Sequence, residues 1–167
     1  SRGLGDVYKR QAKSGSQLLD APYSYSNPKK ARLNDKIIFT RQSFKEYPNI
    51  RISDLNFNSQ IVISDANPQQ KNYNWGTAEL VNWSSLDGLD LTGMLIKPEN
   101  FDPNKKYPMI VNFYERSSNS LHSHRVPNPG RSSINYSFYT SRGYLIFNPD
   151  VHYRVGYPGE SAFNCVI

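Results

Sequence analysis

KKYPMIVNFYERSSN, residues 105–119, decides how the rest of the chain is read. A lysine pair and a proline lead into the apolar run Met109–Phe113, which stops at Tyr114-Glu115-Arg116. A short apolar run with such flanks predicts a buried strand. Alternation along it puts Ile110, Asn112 and Tyr114 on one face, with Met109, Val111 and Phe113 on the other. A strand that ends on a phenol and two opposite charges carries polar chemistry at its carboxyl end.

Reading outward from there, residues 115–133 form a long polar loop leading to a short helix near Ile134–Ser141. Gly143 opens another strand, Tyr144–Phe147, which ends at Asn148-Pro149-Asp150, and Pro158-Gly159-Glu160 begins a second helix. On the amino-terminal side, the β-prone runs Ala78–Ser84 and Leu89–Lys97 flank Ser85-Leu86-Asp87-Gly88, whose Asp-Gly is a hairpin signal. A hairpin followed by strand, helix, strand and helix opens an α/β fold with a largely parallel sheet. In such sheets functional groups gather at the carboxyl ends of the strands. Two ends qualify: Tyr114-Glu115-Arg116, and Asp150 with His152 and Arg154.

Upstream the pattern differs. Residues 65–77, rich in Asn, Gln and Pro, read as a connector. Before them stand three short β-prone runs, Lys36–Arg41, Asn49–Asp54 and Gln60–Ser64, separated by turn-sized segments. That spacing fits an antiparallel β-meander, either part of a sandwich or one propeller blade, a unit that leans on its neighbours. Residues 12–35 are polar and read as irregular. Residues 1–11, SRGLGDVYKRQ, show no periodicity and read as a disordered basic arm or a tract foreign to the fold.

The net charge of +6 has a location: residues 1–50 hold ten Lys/Arg against four Asp/Glu, and residues 51–167 hold ten of each. A nucleic-acid module carries its positive stripe on the folded part, so this distribution argues against one. No apolar stretch reaches the roughly 20 residues that span a bilayer. A single cysteine, Cys165, excludes an internal disulfide and a Cys-based zinc site, and its apolar surroundings predict a buried thiol.

Of the residues able to do chemistry, none forms a complete set. The G-x-S-x-G nucleophile elbow of an α/β-hydrolase is absent, and Ser161 lacks the following glycine and lies in the helix start. His122 and His124 stand two apart on a loop without a cysteine or carboxylate partner, which favours solvated histidines over metal ligands. Asp150 and His152 form a conceivable orienting pair, with structural hydrogen bonding the better reading.

Three stretches add a family likeness: SLDGLDLTGMLIKPENFDPNKKYPMIVNFY, SRGYLIFNPD and VGYPGESAF. From about Leu80 onward the chain resembles the start of the catalytic domain of the prolyl oligopeptidase family of serine peptidases. The nearer branches are the dipeptidyl-peptidase-IV-like and acylaminoacyl-peptidase-like ones. The preceding meander and NPQQKNYNWGTAE resemble the family's last propeller blade and its crossing into the hydrolase domain. The resemblance thus implies an α/β class chain: the end of a β-propeller over 12–64, a connector over 65–77, and the truncated start of an α/β-hydrolase domain over 78–167. It implies a serine-type peptidase acting on peptides or short oligopeptides through an acyl-enzyme, without a cofactor, and open to oligomer formation in the longer parent. Family members place their serine, aspartate and histidine later than the point matching Ile167, so the fragment alone is expected to be inactive. The tyrosine that ends the strand before the long loop lends its hydroxyl to the family's oxyanion hole, and that position matches Tyr114. Glu115 and Arg116 depart from the small residues common after that tyrosine, and are candidates for contacting substrate. Two alternatives share the pattern: an esterase or other hydrolase of the same fold, and a propeller-linked binding module without catalysis.

Overall fold

The computed structural model describes residues 19–128, 130 and 134–167, so the tract expected at 1–11 lies outside it. Two compact units emerge among these residues. One runs to Gln69 and takes in His122–His124; the other comprises Gln70–Leu121 and Arg125–Ile167.

In the first unit, β1 (Ser24–Lys30), β2 (Lys36–Gln42), β3 (Asn49–Asp54) and β4 (Ile61–Val62) pair antiparallel in sequence order. Strands β2 and β3 stand where their β-branched runs predict. Strand β1 corrects the reading of 12–35 as irregular. Its Pro28 and polar residues hide the strand, and a bulge between Ser26 and Lys29, with Asn27 at φ 53°, accommodates them. Strand β4 is shorter than the expected Gln60–Ser64, although Ile63 still donates its N–H to Ile50 O at 2.9 Å. The core is aromatic: Tyr25, Phe39 and Phe57 stack in series with centroid separations of 5.8 and 5.2 Å, and Leu19, Tyr23 and Ile37 pack around them. Phe57 reaches this core from a left-handed backbone, φ 59°. Asp54 holds that turn, its carboxylate accepting from Asn56 N–H at 2.8 Å and Asn58 N–H at 3.2 Å. Burying the ring, worth about 1.5–3 kcal/mol, offsets a backbone cost of about 1–2 kcal/mol.

The second unit is a mixed sheet in the order β5-β6-β8-β7. Its strands are β5 (Thr77–Ser84), β6 (Asp90–Lys97), β7 (Met109–Val111) and β8 (Leu145–Pro149). Strands β5 and β6 form a hairpin in register from Thr77↔Lys97 to Ser84↔Asp90. Gly88 at φ 82° closes its turn, donating its N–H to Ser85 O at 3.0 Å. Strand β8 runs antiparallel to β6 and parallel to β7. A parallel pair needs a long crossover, and the segment between them carries helix α1 (Tyr136–Thr140), capped where the Asn135 side chain accepts from Phe138 N–H. Helix α2 (Pro158–Val166) follows β8, with proline in its first turn.

Met94, Ile96 and Ile146 are fully buried at the centre of this sheet. A second cluster, Leu91, Val151 and Cys165 with Trp83, Ala162 and Val166, seats α2. The Trp83 indole donates to Cys165 O at 3.1 Å, and Leu86 N–H to Asn164 O at 3.1 Å. The architecture, an antiparallel meander and a mixed sheet with few helices, is consistent with the α/β class.

Candidate active site

The register Met109↔Leu145, Ile110↔Ile146, Val111↔Phe147 sets the carboxyl ends of β7 and β8 side by side. Regular pairing stops at Val111, short of the expected Phe113, yet Asn112 N–H still donates to Phe147 O at 2.9 Å. Asn112 is held from its side chain as well. Its amide donates to Asn148 Oδ1 at 3.1 Å, and the Asn148 amide donates to the Tyr136 hydroxyl at 2.7 Å. Asn148 is fully buried, and the network satisfies it while tying α1, β8 and β7 together. The expected alternation holds in part, since Ile110 and Asn112 face inward while Met109, Val111 and Phe113 are exposed.

Tyr114 stands just past this anchored end, 79% exposed, and no described residue hydrogen-bonds its hydroxyl. Glu115 and Arg116 also point outward. The loop behind them is bound to the end of β8. Glu115 O accepts from Val151 N–H at 3.0 Å. The Asp150 carboxylate accepts from Ser117 N–H at 2.6 Å, from Ser118 N–H at 2.9 Å, and from the Ser118 hydroxyl. A cleft of about 310 Å³ opens beside these residues, lined among others by Asp90, Thr92, Arg116, Ser118 and His152.

The other sequence candidates resolve differently. Asp150 turns its carboxylate to the 115–118 loop and its N–H to Thr92 O at 3.0 Å, which gives it a structural role in place of orienting the exposed His152. Ser161 donates its hydroxyl to Tyr157 O at 2.7 Å and accepts from Arg154 N–H at 3.0 Å, so it braces the entry of α2. Cys165 is buried as its surroundings predicted. His124 corrects the expectation of a solvated loop histidine. It lies half-buried in the first unit, its N–H on Gln42 Oε1 at 3.0 Å and its ring edge-on to Tyr47 at 5.1 Å. Burial pushes its pKa down, against the opposing pull of the Phe44 and Ser43 backbone. Among the described residues no group of three His, Cys, Asp or Glu could hold a metal ion, and no helix is long and apolar enough to cross a membrane.

Sequence reasoning missed two features here. It favoured structural hydrogen bonding for Asp150 but did not find the partners, Ser117 and Ser118, which lie over thirty residues upstream past another strand end. It also passed over Asn112 and Asn148, one polar residue in each of two apolar runs, a pattern that can signal a buried pair.

No protein-family model matches the sequence, and no curated protein matches it. Solved structures do. The AtxE2 isopeptidase is similar over 86% of this chain, with a TM-score of 0.61 and 12% identity. The acylaminoacyl peptidase of Pyrococcus horikoshii is similar over 94%, with a TM-score of 0.58 and 17% identity. The dipeptidyl peptidase 4 of Porphyromonas gingivalis is similar over 83%, with a TM-score of 0.53 and 17% identity. The chain spans 21%, 23% and 19% of those three chains, respectively. At these identities the likeness is one of fold. The three neighbours are peptidases by name, and what this chain shares with them is the fold.

Proposed function

We propose that this chain is the junction part of a serine peptidase of the prolyl oligopeptidase type. In this reading residues 12–64 end a β-propeller, 65–77 connect, and 78–167 open an α/β-hydrolase domain. The nucleophile, its base and the orienting aspartate are supplied by sequence that follows Ile167, and residues 1–167 alone do not hydrolyse peptides. The enzyme acts on peptides or short oligopeptides, with no cofactor.

One observation carries the reading: Tyr114 presents an exposed phenol at the carboxyl end of β7, beside the parallel β8. In hydrolases of this fold the loop after this strand supplies one oxyanion donor, the other being the N–H beside the nucleophile. As the serine adds to the scissile carbonyl, the carbonyl oxygen takes up negative charge. A phenolic O–H already aimed at that oxygen stabilises it with little reorganisation. Glu115 and Arg116 are exposed on the same turn, and in this reading they contact the substrate beside the scissile bond.

The test is Tyr114→Phe in the longer enzyme, which keeps the ring and deletes the donor. Turnover should fall about 10²–10³-fold, as for the loss of one oxyanion donor, with little change in KM. Unchanged turnover in a normally folded variant would refute the assignment.

A further inference from the structure

Asp150 is only 5% exposed, yet it carries an acidic side chain. A buried carboxylate is costly unless hydrogen bonds satisfy it, and this one accepts from three donors on two consecutive residues, Ser117 and Ser118. Those residues begin two positions after Glu115, whose carbonyl is bound by Val151 N–H. On the other side of Tyr114, Asn112 is fixed to β8 through its backbone and its side chain. Tyr114 therefore sits on a short span between two anchors, both on β8 or the residues directly after it. Its own side chain is largely exposed and makes few contacts that could hold it. The anchored backbone sets where the Tyr114 side chain leaves the chain and in which direction it starts.

We propose that Asp150 is a positioning residue for the reaction: by clamping Ser117 and Ser118 it fixes the turn that presents Tyr114. This rests on the reading of Tyr114 as an oxyanion donor. An ionised carboxylate is acceptor-only, with two oxygens able to take several donors, which suits a clamp on adjacent N–H groups and a hydroxyl. Catalytic geometry is sensitive to small displacements; a misplacement of about 1 Å can cost about 10²-fold. Loss of the clamp should thus appear in turnover rather than in substrate binding.

A double-mutant cycle in the longer enzyme tests this. Asp150→Ala should lower kcat about 10–100-fold with KM changed less than about twofold. Asp150→Asn, which keeps an oxygen for the two N–H groups, should recover most of the loss. In the Tyr114→Phe background Asp150→Ala should cost little more, because the group it positions is gone. Amide exchange at Ser117 and Ser118 should quicken in Asp150→Ala while Ile96 and Ile146 stay protected. Where Asp150→Ala does not fold, Ser118→Ala removes one donor of the clamp and should give a smaller kcat loss that also vanishes with Tyr114→Phe. Losses that add independently of Tyr114, or unaltered exchange at Ser117 and Ser118, overturn the positioning role alone. Full turnover in Tyr114→Phe overturns the oxyanion reading, and the positioning role with it.

Discussion

Glu46 shows how much a single side chain organises in the first unit. Its carboxylate accepts from Arg41 at 3.1 and 2.8 Å and from Arg51 at 3.0 Å, and Arg41 also lies over the Tyr23 ring at 3.8 Å. Burial raises its pKa, but the two guanidinium groups outweigh burial and hold it below the ordinary glutamate value of 4.5. The unfolded chain therefore binds the proton more readily. The ion cluster's contribution is present above about pH 4.5 and is lost as pH falls through the folded value. His124, held below the ordinary 6.5, works in the same direction at higher pH. The protection of the β2 and β3 amides, taken relative to their intrinsic exchange rates, should thus fall in acid in two stages, with Glu46→Gln removing the lower stage only. At neutral pH Glu46→Gln should cost about 1–3 kcal/mol, between the surface and buried limits for breaking an ion pair. In the second unit, Asn148→Ala should be costlier, at roughly 2–4 kcal/mol. It leaves the Tyr136 hydroxyl and the Asn112 amide without their partner and opens a small void. A urea unfolding midpoint unchanged from the parent would contradict that.

At the level of elements, close approach decides the sheet of the second unit. Gly93 in β6 pairs with Val81 and Pro149, and a methyl group there would meet Asn148 O, Pro149 Cα and the Trp83 ring, each at 2.9 Å. Two of the three are backbone atoms and cannot swing aside, so Gly93→Ala should destabilise the unit by about 1–3 kcal/mol, as overpacking does. Tryptophan-fluorescence-detected urea unfolding reads this directly, since Trp75 and Trp83 both lie in that unit; equal stability would refute it. The elements differed in how plainly the sequence announced them. Strands β2, β3, β5, β6 and β8 were legible because apolar and β-branched residues bounded by turn signals have few other uses. Strand β1 was not, because a bulge lets Asn27 and Pro28 interrupt it, and local propensity cannot foresee the partner that makes a bulge tolerable. The geometry around the candidate site was half legible. Tyr114 stood out because a reactive group ended an apolar run, whereas the Asp150 clamp depends on the β7/β8 register, a long-range fact that spacing along the chain does not contain.

At the scale of the whole molecule, the proposed function makes residues 1–167 a scaffold that presents an oxyanion donor to chemistry supplied elsewhere. The residues themselves fit that role. The Ser161 hydroxyl is engaged by the α2 entry, as donor to Tyr157 O and acceptor from Arg154 N–H, and the Asp150 carboxylate by the 115–118 loop. Loss of nucleophile and base typically removes about 10⁴–10⁶ of turnover, so the 167-residue chain should show no measurable peptidase activity. A fluorophosphonate probe, which reacts only with an activated serine, tests the central claim most directly. It should leave residues 1–167 unlabelled, and label the protein extended beyond Ile167 stoichiometrically at one serine within a downstream G-x-S-x-G elbow. Stoichiometric labelling inside residues 1–167, or an extended protein that the probe does not touch, would contradict the account.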